Sequence, residues 1–371
     1  MKNNMKNTLE NSPERAELPN IVREGYDTPQ LNDHKQNCDS ASAKGKPACI
    51  MPSDSNFAAG KAEYPPMHKG EQNHELKMRK GKTYRYDDEF KKKARAHQFA
   101  YRENVLNDFY DEKNPQVILS PDAAKQGLIF CETYRELIKS KVKSFKFSAL
   151  FSNMLRSEHI PYNIFTPMEK DMSATTELFN EIIGGGISKI NRIRIEFAGD
   201  ADKSEYLNDG TSFDTFIEYV SIDGSIGGIG IEVKYTENGY RIGEKEKEYI
   251  EKPNGTYRQV SEESNYFIPS LNITSFIKAN HLRQIWRNHI LGYSMLKKGE
   301  IKRFHYIHLY PEGNRHFHKY AVPEYKQLLT EQGRNSFIDL TYESLFKLIN
   351  SHFKRKEQKE WLEYLRKRYI V

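Results

Sequence analysis

The residues best suited to chemistry lie between Phe213 and Glu237, in the run F-D-T-F-I-E-Y-V-S-I-D-G-S-I-G-G-I-G-I-E-V-K-Y-T-E. Asp214 stands near the start of one strand-like run, Phe213 to Ile222, and Glu232-Val233-Lys234 lies in a second, Ile229 to Thr236. β-Branched and aromatic residues dominate both runs, and an Asp-Gly turn signal separates them. Side chains alternate along a strand, so Glu232 and Lys234 share one face while Val233 points away. Two carboxylates and an ammonium on one face are the minimum needed to hold a hard divalent cation against a phosphodiester.

Convergence depends on register. A strict two-residue hairpin at Asp223-Gly224 sets Asp214 opposite Val233 and turns Glu232 to the other face. The motif therefore requires a bulge or an odd-length loop. Ser225-Ile226-Gly227-Gly228 is a suitable place, because glycines are common bulge residues, and a register shift of one residue is expected there.

The same residues carry a family resemblance. An acidic residue on one strand and E-x-K on the next resembles the PD-(D/E)xK nuclease superfamily. The longer wording, F-D-x-x-I-E-Y followed by G-I-G-I-E-V-K-Y-T-E, resembles its bacterial putative restriction-endonuclease branch. The proline that names the motif is replaced here: Phe213 precedes Asp214. The resemblance spans about Arg156 to Phe346. It implies an α/β, restriction-endonuclease-like core with a central mixed four-stranded sheet in α-β-β-β-α-β order, flanked by helices, with extra N-terminal helices beside it. It also implies Asp214, Glu232 and Lys234 as catalytic residues. Asp214, Glu232, the carbonyl of Val233 and Glu196 become the ligands of Mg²⁺, with Mn²⁺ as an alternative. Glu177 and Glu181 compete with Glu196, and Glu158 belongs to a segment, R-S-E-H-I-P-Y-N-I-F-T-P-M, that resembles the N-terminal helix of the branch. In H-L-R-Q-I-W-R-N-H-I-L-G the resemblance turns Gln284 toward the catalytic strands and lets Arg283 or Arg287 meet phosphate. The implied activity is metal-dependent endonucleolytic cleavage of DNA in restriction or another defence role. A homodimer would suit double-strand cutting, and no small-molecule cofactor is expected.

Two other classes compete. One is a nucleic-acid-binding module on a nuclease-like fold without cleavage, against which the intact Asp214, Glu232 and Lys234 argue. The other is an interaction protein whose E-x-K strand is a charged edge. A lysine beside two carboxylates stays protonated, which favours electrostatic stabilisation over proton abstraction as the role of Lys234.

The elements that must position these residues are legible in outline. Residues 1–80 are polar and rich in Asn, Lys, Ser, Pro and Gly, and read as a disordered or loosely ordered leader before a domain over 81–371 with its core at about 150–350. Helical patterns run from Asp87 to Phe109, from the Ser120-Pro121 start to about Lys139, from Phe147 to Phe165 with a break at Pro161, and from Ser173 to Ile183. Ile187 to Phe197 reads as the first core strand and Phe304 to Tyr310 as the fourth. Asn238 to Asn265 reads as an inserted hairpin, flap or loop. Ser275 to Lys298 has the clearest helical period, and helices over Thr341 to Ser351 and Lys354 to Tyr369 end the chain. The basic run Lys91-Lys92-Lys93 with Arg95 reads as a solvated helix face, and His305, His308, His316 and His318 as structural histidines.

Size and composition narrow the partners. The chain has 371 residues, 57 basic against 51 acidic, and a net charge of +6, which fits a nucleic-acid partner without demanding one. No apolar run approaches a membrane span, and Met1 to Glu10 lacks a signal-peptide core, so a cytoplasmic protein without membrane attachment is expected. Cys38, Cys49 and Cys131 have no metal-finger spacing, and adding His68 and His74 does not create one. There is no G-x-x-x-x-G-K-[ST] phosphate loop.

Overall fold

The computed structural model describes residues 84–109, 116–142, 149–239, 243–269, 271–272, 276 and 279–371. The leader, with Cys38, Cys49, His68 and His74, lies outside them.

Among the described residues the sheet has five strands, one more than expected: β1 (Ile187–Phe197), β2 (Phe213–Ser221), β3 (Ile226–Val233), β4 (Arg303–Tyr310) and β5 (Phe337–Thr341). They lie side by side in sequence order. β1, β2 and β3 form an antiparallel meander, and β4 and β5 add in parallel, which makes the sheet mixed. β5 is a five-residue strand, F-I-D-L-T, too short to show a period, and it runs straight into the following helix.

The helices precede, interrupt and follow the strands of the sheet. Before the sheet lie α1 (Glu89–Asn104), α2 (Pro121–Gln126), α3 (Arg135–Lys141), α4 (Ala149–Ser152), α5 (Ile160–Phe165) and α6 (Met172–Ile183). Between β3 and β4 come α7 (Glu244–Glu251), α8 (Thr256–Ser264) and α9 (Arg283–Lys298). Then follow α10 (Val322–Gln327), α11 (Glu331–Ser336), α12 (Tyr342–His352) and α13 (Lys356–Tyr369). The expected insertion after β3 is thus a pair of helices, α7 and α8, rather than a hairpin. In α8 the buried Tyr257, Val260, Ser261 and Ser264 share one helical face, and α7 buries Ile250 alone among its charged residues. The run from Ser120 stops early because Gly127 takes the left-handed conformation at φ 76°, ending α2. Pro161 opens α5 instead of breaking a longer helix, since its missing N–H is no loss in a first turn.

Each face of the sheet is covered. Ile229, Ile231, Val233, Ile307 and Leu309 meet Phe90, Ile164, Leu178, Phe346 and Trp361 from the terminal helices. On the other face Phe213, Phe216, Phe304 and Tyr306 meet Tyr257, Ile285, Trp286 and Tyr325 from α8, α9 and α10. That second face explains Gly228 and Gly230 of β3, while Gly227 lies against Tyr219 of the first. A Cβ on Gly230 would stand 2.3 Å from the ring of Phe213, so the aromatic residues of β2 lie where β3 has no side chains.

The register condition is met, at a different place from the one expected. Ser221 N donates to Ser225 O and Gly224 N donates to Ser221 O, enclosing a three-residue loop, Ile222-Asp223-Gly224. Gly224 adopts φ 81°, as the last residue of such a loop requires. The ladder then runs without a shift from Val220–Ile226 to Thr215–Ile231, which puts Asp214 opposite Glu232. The glycines of β3 serve packing, and the odd loop sets the register.

Gly230→Ala is therefore expected to cost about 1–3 kcal/mol by overpacking against Phe213. A urea midpoint equal to that of the wild type would show that the ring yields freely.

Candidate active site

Register across the sheet assembles the site. The pairs Ile195–Thr215 and Phe197–Phe213 set Glu196 opposite Asp214, and Glu232 in turn pairs with His308. Acidic positions from three strands thus occupy one lateral row. Glu196 bends out of regular strand geometry, with φ 54° in the left-handed region, a conformation that costs a non-glycine residue on the order of 1 kcal/mol.

Glu232 is the most enclosed of the group at 1% exposure. Lys234 Nζ and Gln284 Nε2 both donate to its Oε1, and Asn288 Nδ2 donates to its Oε2. Gln284 and Asn288 lie four residues apart on α9, so both amides leave the same helix face. Asp214 accepts from Val233 N at 2.7 Å through Oδ2, and among the described residues its Oδ1 has no donor. Lys234 is fixed at the backbone as well: its N–H donates to Leu309 O at 2.8 Å, and its carbonyl accepts from the Tyr342 hydroxyl at 2.7 Å.

The electrostatics follow from this crowding. Asp214 keeps a solvent-facing edge, yet the protein around it makes desolvation the leading cause of a carboxyl pKa well above the usual range. The negative charge of Glu232 adds to that shift, and Lys234 and the Val233 N–H oppose it. Glu232 is also raised, again by burial first, against the pull of Lys234 and Asn288. Burial alone would lower Lys234, but the charges of Glu232, Asp214 and Glu237 outweigh it and hold the ammonium protonated above the ordinary lysine value. Glu196 is raised by desolvation and then by the charges of Glu232 and Glu158, while its side chain retains contact with solvent.

The remaining sequence candidates divide. Glu158 is held by Arg156 and lies close enough to feel the Lys234 charge. Glu177 and Glu181 instead pair with His352 on α12 and do not join the row. Arg283 is buried and donates to Asn280 Oδ1 at 2.8 Å. Arg287 is turned away from Glu232: it pairs with Asp209 at 2.9 Å and with Glu246 of α7, and donates to Thr211 and Tyr257. Arg95, from the basic run on α1, binds Asp87 at 2.6 Å and covers the Tyr84 ring. His308 is fully buried, as a structural histidine would be.

Sequence reasoning passed over Asn288 and Glu237. Glu237 accepts from Ser157 N at 3.0 Å and Tyr235 N at 2.9 Å, tying the end of the E-x-K segment to the loop before α5. The i,i+4 spacing of Asn288 from Gln284 was the available signal for the first. Nothing local marked the second.

Among the described residues no three His, Cys, Asp or Glu side chains gather closely enough to hold a metal ion by themselves. Mg²⁺ does not ask for that, since it retains several waters and uses one or two carboxylates with substrate oxygens. Two facing carboxylates, both raised first by burial, Asp214 further by the charge of Glu232 and Glu232 by that of Glu237, one with an uncommitted oxygen, fit a hard dication. The fold and site together define a class: a mixed-sheet α/β protein with D…E-x-K at the centre of its sheet. The family model of the PD-(D/E)XK nuclease superfamily matches residues 85–371, and the chain belongs to that superfamily. Such nucleases act on nucleic acid and generally use divalent metal ions. No curated protein and no solved structure matched the chain. No helix among the described residues is long and apolar enough to cross a membrane.

A carboxyl whose pKa is raised by folding penalises the folded state once ionised, and the penalty disappears below its unfolded value of about 3.9. Asp214→Asn should therefore raise the melting temperature of chelator-treated protein at about pH 8, and the gain should shrink toward about pH 4. A variant that melts with the wild type at both pH values would contradict the raised Asp214 carboxyl that burial and the Glu232 charge produce.

Proposed function

We propose that the chain is a metal-dependent endonuclease that hydrolyses DNA phosphodiester bonds, with Asp214, Glu232 and Lys234 as its catalytic residues. The observation that carries this reading is the facing of Asp214 and Glu232 across β2 and β3, with the Lys234 ammonium on Glu232. Asp214 and Glu232 would hold Mg²⁺, or Mn²⁺ in its place, with the Val233 carbonyl and Glu196 as further ligands. When bound, such a cation would supply Lewis acidity at the scissile phosphate.

The chain's own residues do the rest. Lys234, held protonated, cannot take a proton from water, so it stabilises the negative charge that grows on the phosphorus-bound oxygens during in-line attack. Gln284, bonded to Oε1, orients the Glu232 carboxylate in addition to its assigned contact with substrate. Arg283, which donates to Asn280 Oδ1, is the arginine of the pair assigned to contact phosphate. Arg287 acts instead as a strut between α9, α7 and the loop at Asp209.

The test is cleavage of supercoiled and linear plasmid by wild type and Lys234→Ala with Mg²⁺, Mn²⁺ or chelator. Metal-dependent nicking should fall about 10²–10³-fold in the variant, the usual loss for one stabilising donor. Undiminished cleavage by Lys234→Ala would move the chemistry elsewhere. If unmodified, methylated and single-stranded DNA all survive with both metals, the chain is a binding module instead.

A further inference from the structure

Beneath Glu232 lies a polar chain that the proposed chemistry does not use. Asn288, 1% exposed, gives one N–H to Glu232 Oε2, and its amide lies beside the Tyr306 hydroxyl. Tyr306 and His308 are both fully buried on β4, with the hydroxyl 3.2 Å from His308 Nδ1. Glu232, Asn288, Tyr306 and His308 thus form one connected series, running from the metal-facing carboxylate into the aromatic core. His308 Nε2 ends it without a partner among the described residues.

Donor and acceptor roles leave little choice of direction. An asparagine amide offers two hydrogens at one end and an acceptor oxygen at the other, and only the N–H end is attractive to a carboxylate. If the second N–H meets the Tyr306 oxygen, the tyrosine hydrogen is left for His308 Nδ1, and His308 takes the tautomer with hydrogen on Nε2. A reversed amide would set its oxygen against Glu232 and strand the Tyr306 oxygen.

The division of labour on the carboxylate is also uneven. Lys234 and Gln284 share Oε1, whereas among the described residues Asn288 is the donor on Oε2. Without Asn288, Oε2 would be buried and unsatisfied, so the carboxylate would turn to recover a partner.

We propose that Asn288 is a positioning residue: it fixes the rotation of the Glu232 carboxylate for metal binding, and Tyr306 and His308 fix the orientation of its amide. The inference rests on the metal-dependent reading given above. Residues that orient a ligand in this way typically contribute 10–100-fold to metal affinity.

The experiment measures Mn²⁺ binding by calorimetry, and metal-free DNA affinity by anisotropy, for wild type, Asn288→Ala and Tyr306→Phe. Asn288→Ala should weaken Mn²⁺ binding about 10–100-fold. Tyr306→Phe should weaken it less and in the same direction, because the donor is retained but its orientation is freed. Metal-free DNA affinity should stay at the wild-type value in both, which general damage to the fold would not allow. Unchanged Mn²⁺ binding in Asn288→Ala overturns the inference and leaves the nuclease reading intact. If that variant does not fold, wild-type affinity in Tyr306→Phe overturns the chain of orientation. Failure of the wild type to bind Mn²⁺ overturns the parent reading and this inference with it.

Discussion

Two carboxylates that face each other across neighbouring strands repel, and much of this chain is arranged around keeping Asp214 and Glu232 in that position. The three-residue loop sets the register, and the bare glycine surface of β3 lets the rings of β2 close over it. The helix α9 then brings two amides down onto one of the pair, and Lys234 brings a charge. Hydrogen bonding and one ammonium offset part of the repulsion. Burial, and for Asp214 the charge of Glu232 as well, still leaves both carboxyls with raised pKa values.

The neighbourhood restricts what can come close. Arg287 is one residue before Asn288, yet its guanidinium is committed to Asp209 and Glu246 on the opposite side. A helix that exposes an amide at one position and a cation at the next sends them about 100° apart, so adjacency in sequence places them on different business. The same pairing fastens α7 to the core, which makes the inserted helices part of the domain's second hydrophobic layer.

How much was legible follows from the range of each interaction. β1 was read at its true limits because Ile187, Ile190 and Ile193 bury one side of an otherwise polar run. The D…E-x-K trio and Gln284 were legible because strand alternation and helix period are local rules. The odd loop followed from the requirement of convergence, although its location was misjudged: Gly227, Gly228 and Gly230 answer to rings on β2, which no local pattern reports. The acid partners of Arg287 lie 78 and 41 residues away, and nothing in the helix pattern points to them. The left-handed Glu196 is a tertiary imposition on a strand former. β5 gains its strand character by pairing with β4, as a short segment must.

The parallel addition of β4 has a consequence for the order in which the molecule forms. The β2–β3 hairpin closes over three residues, so Asp214 and Glu232 meet through local contacts. The amides that quieten Glu232 arrive from 52 and 56 residues downstream, and the Tyr342 hydroxyl that ties down Lys234 comes from 108. Contacts of that separation form late, because loop closure must precede the reward. A chain emerging from the ribosome thus carries its acidic pair long before it carries a working arrangement of it, and competence is acquired only as the last third of the sequence folds back.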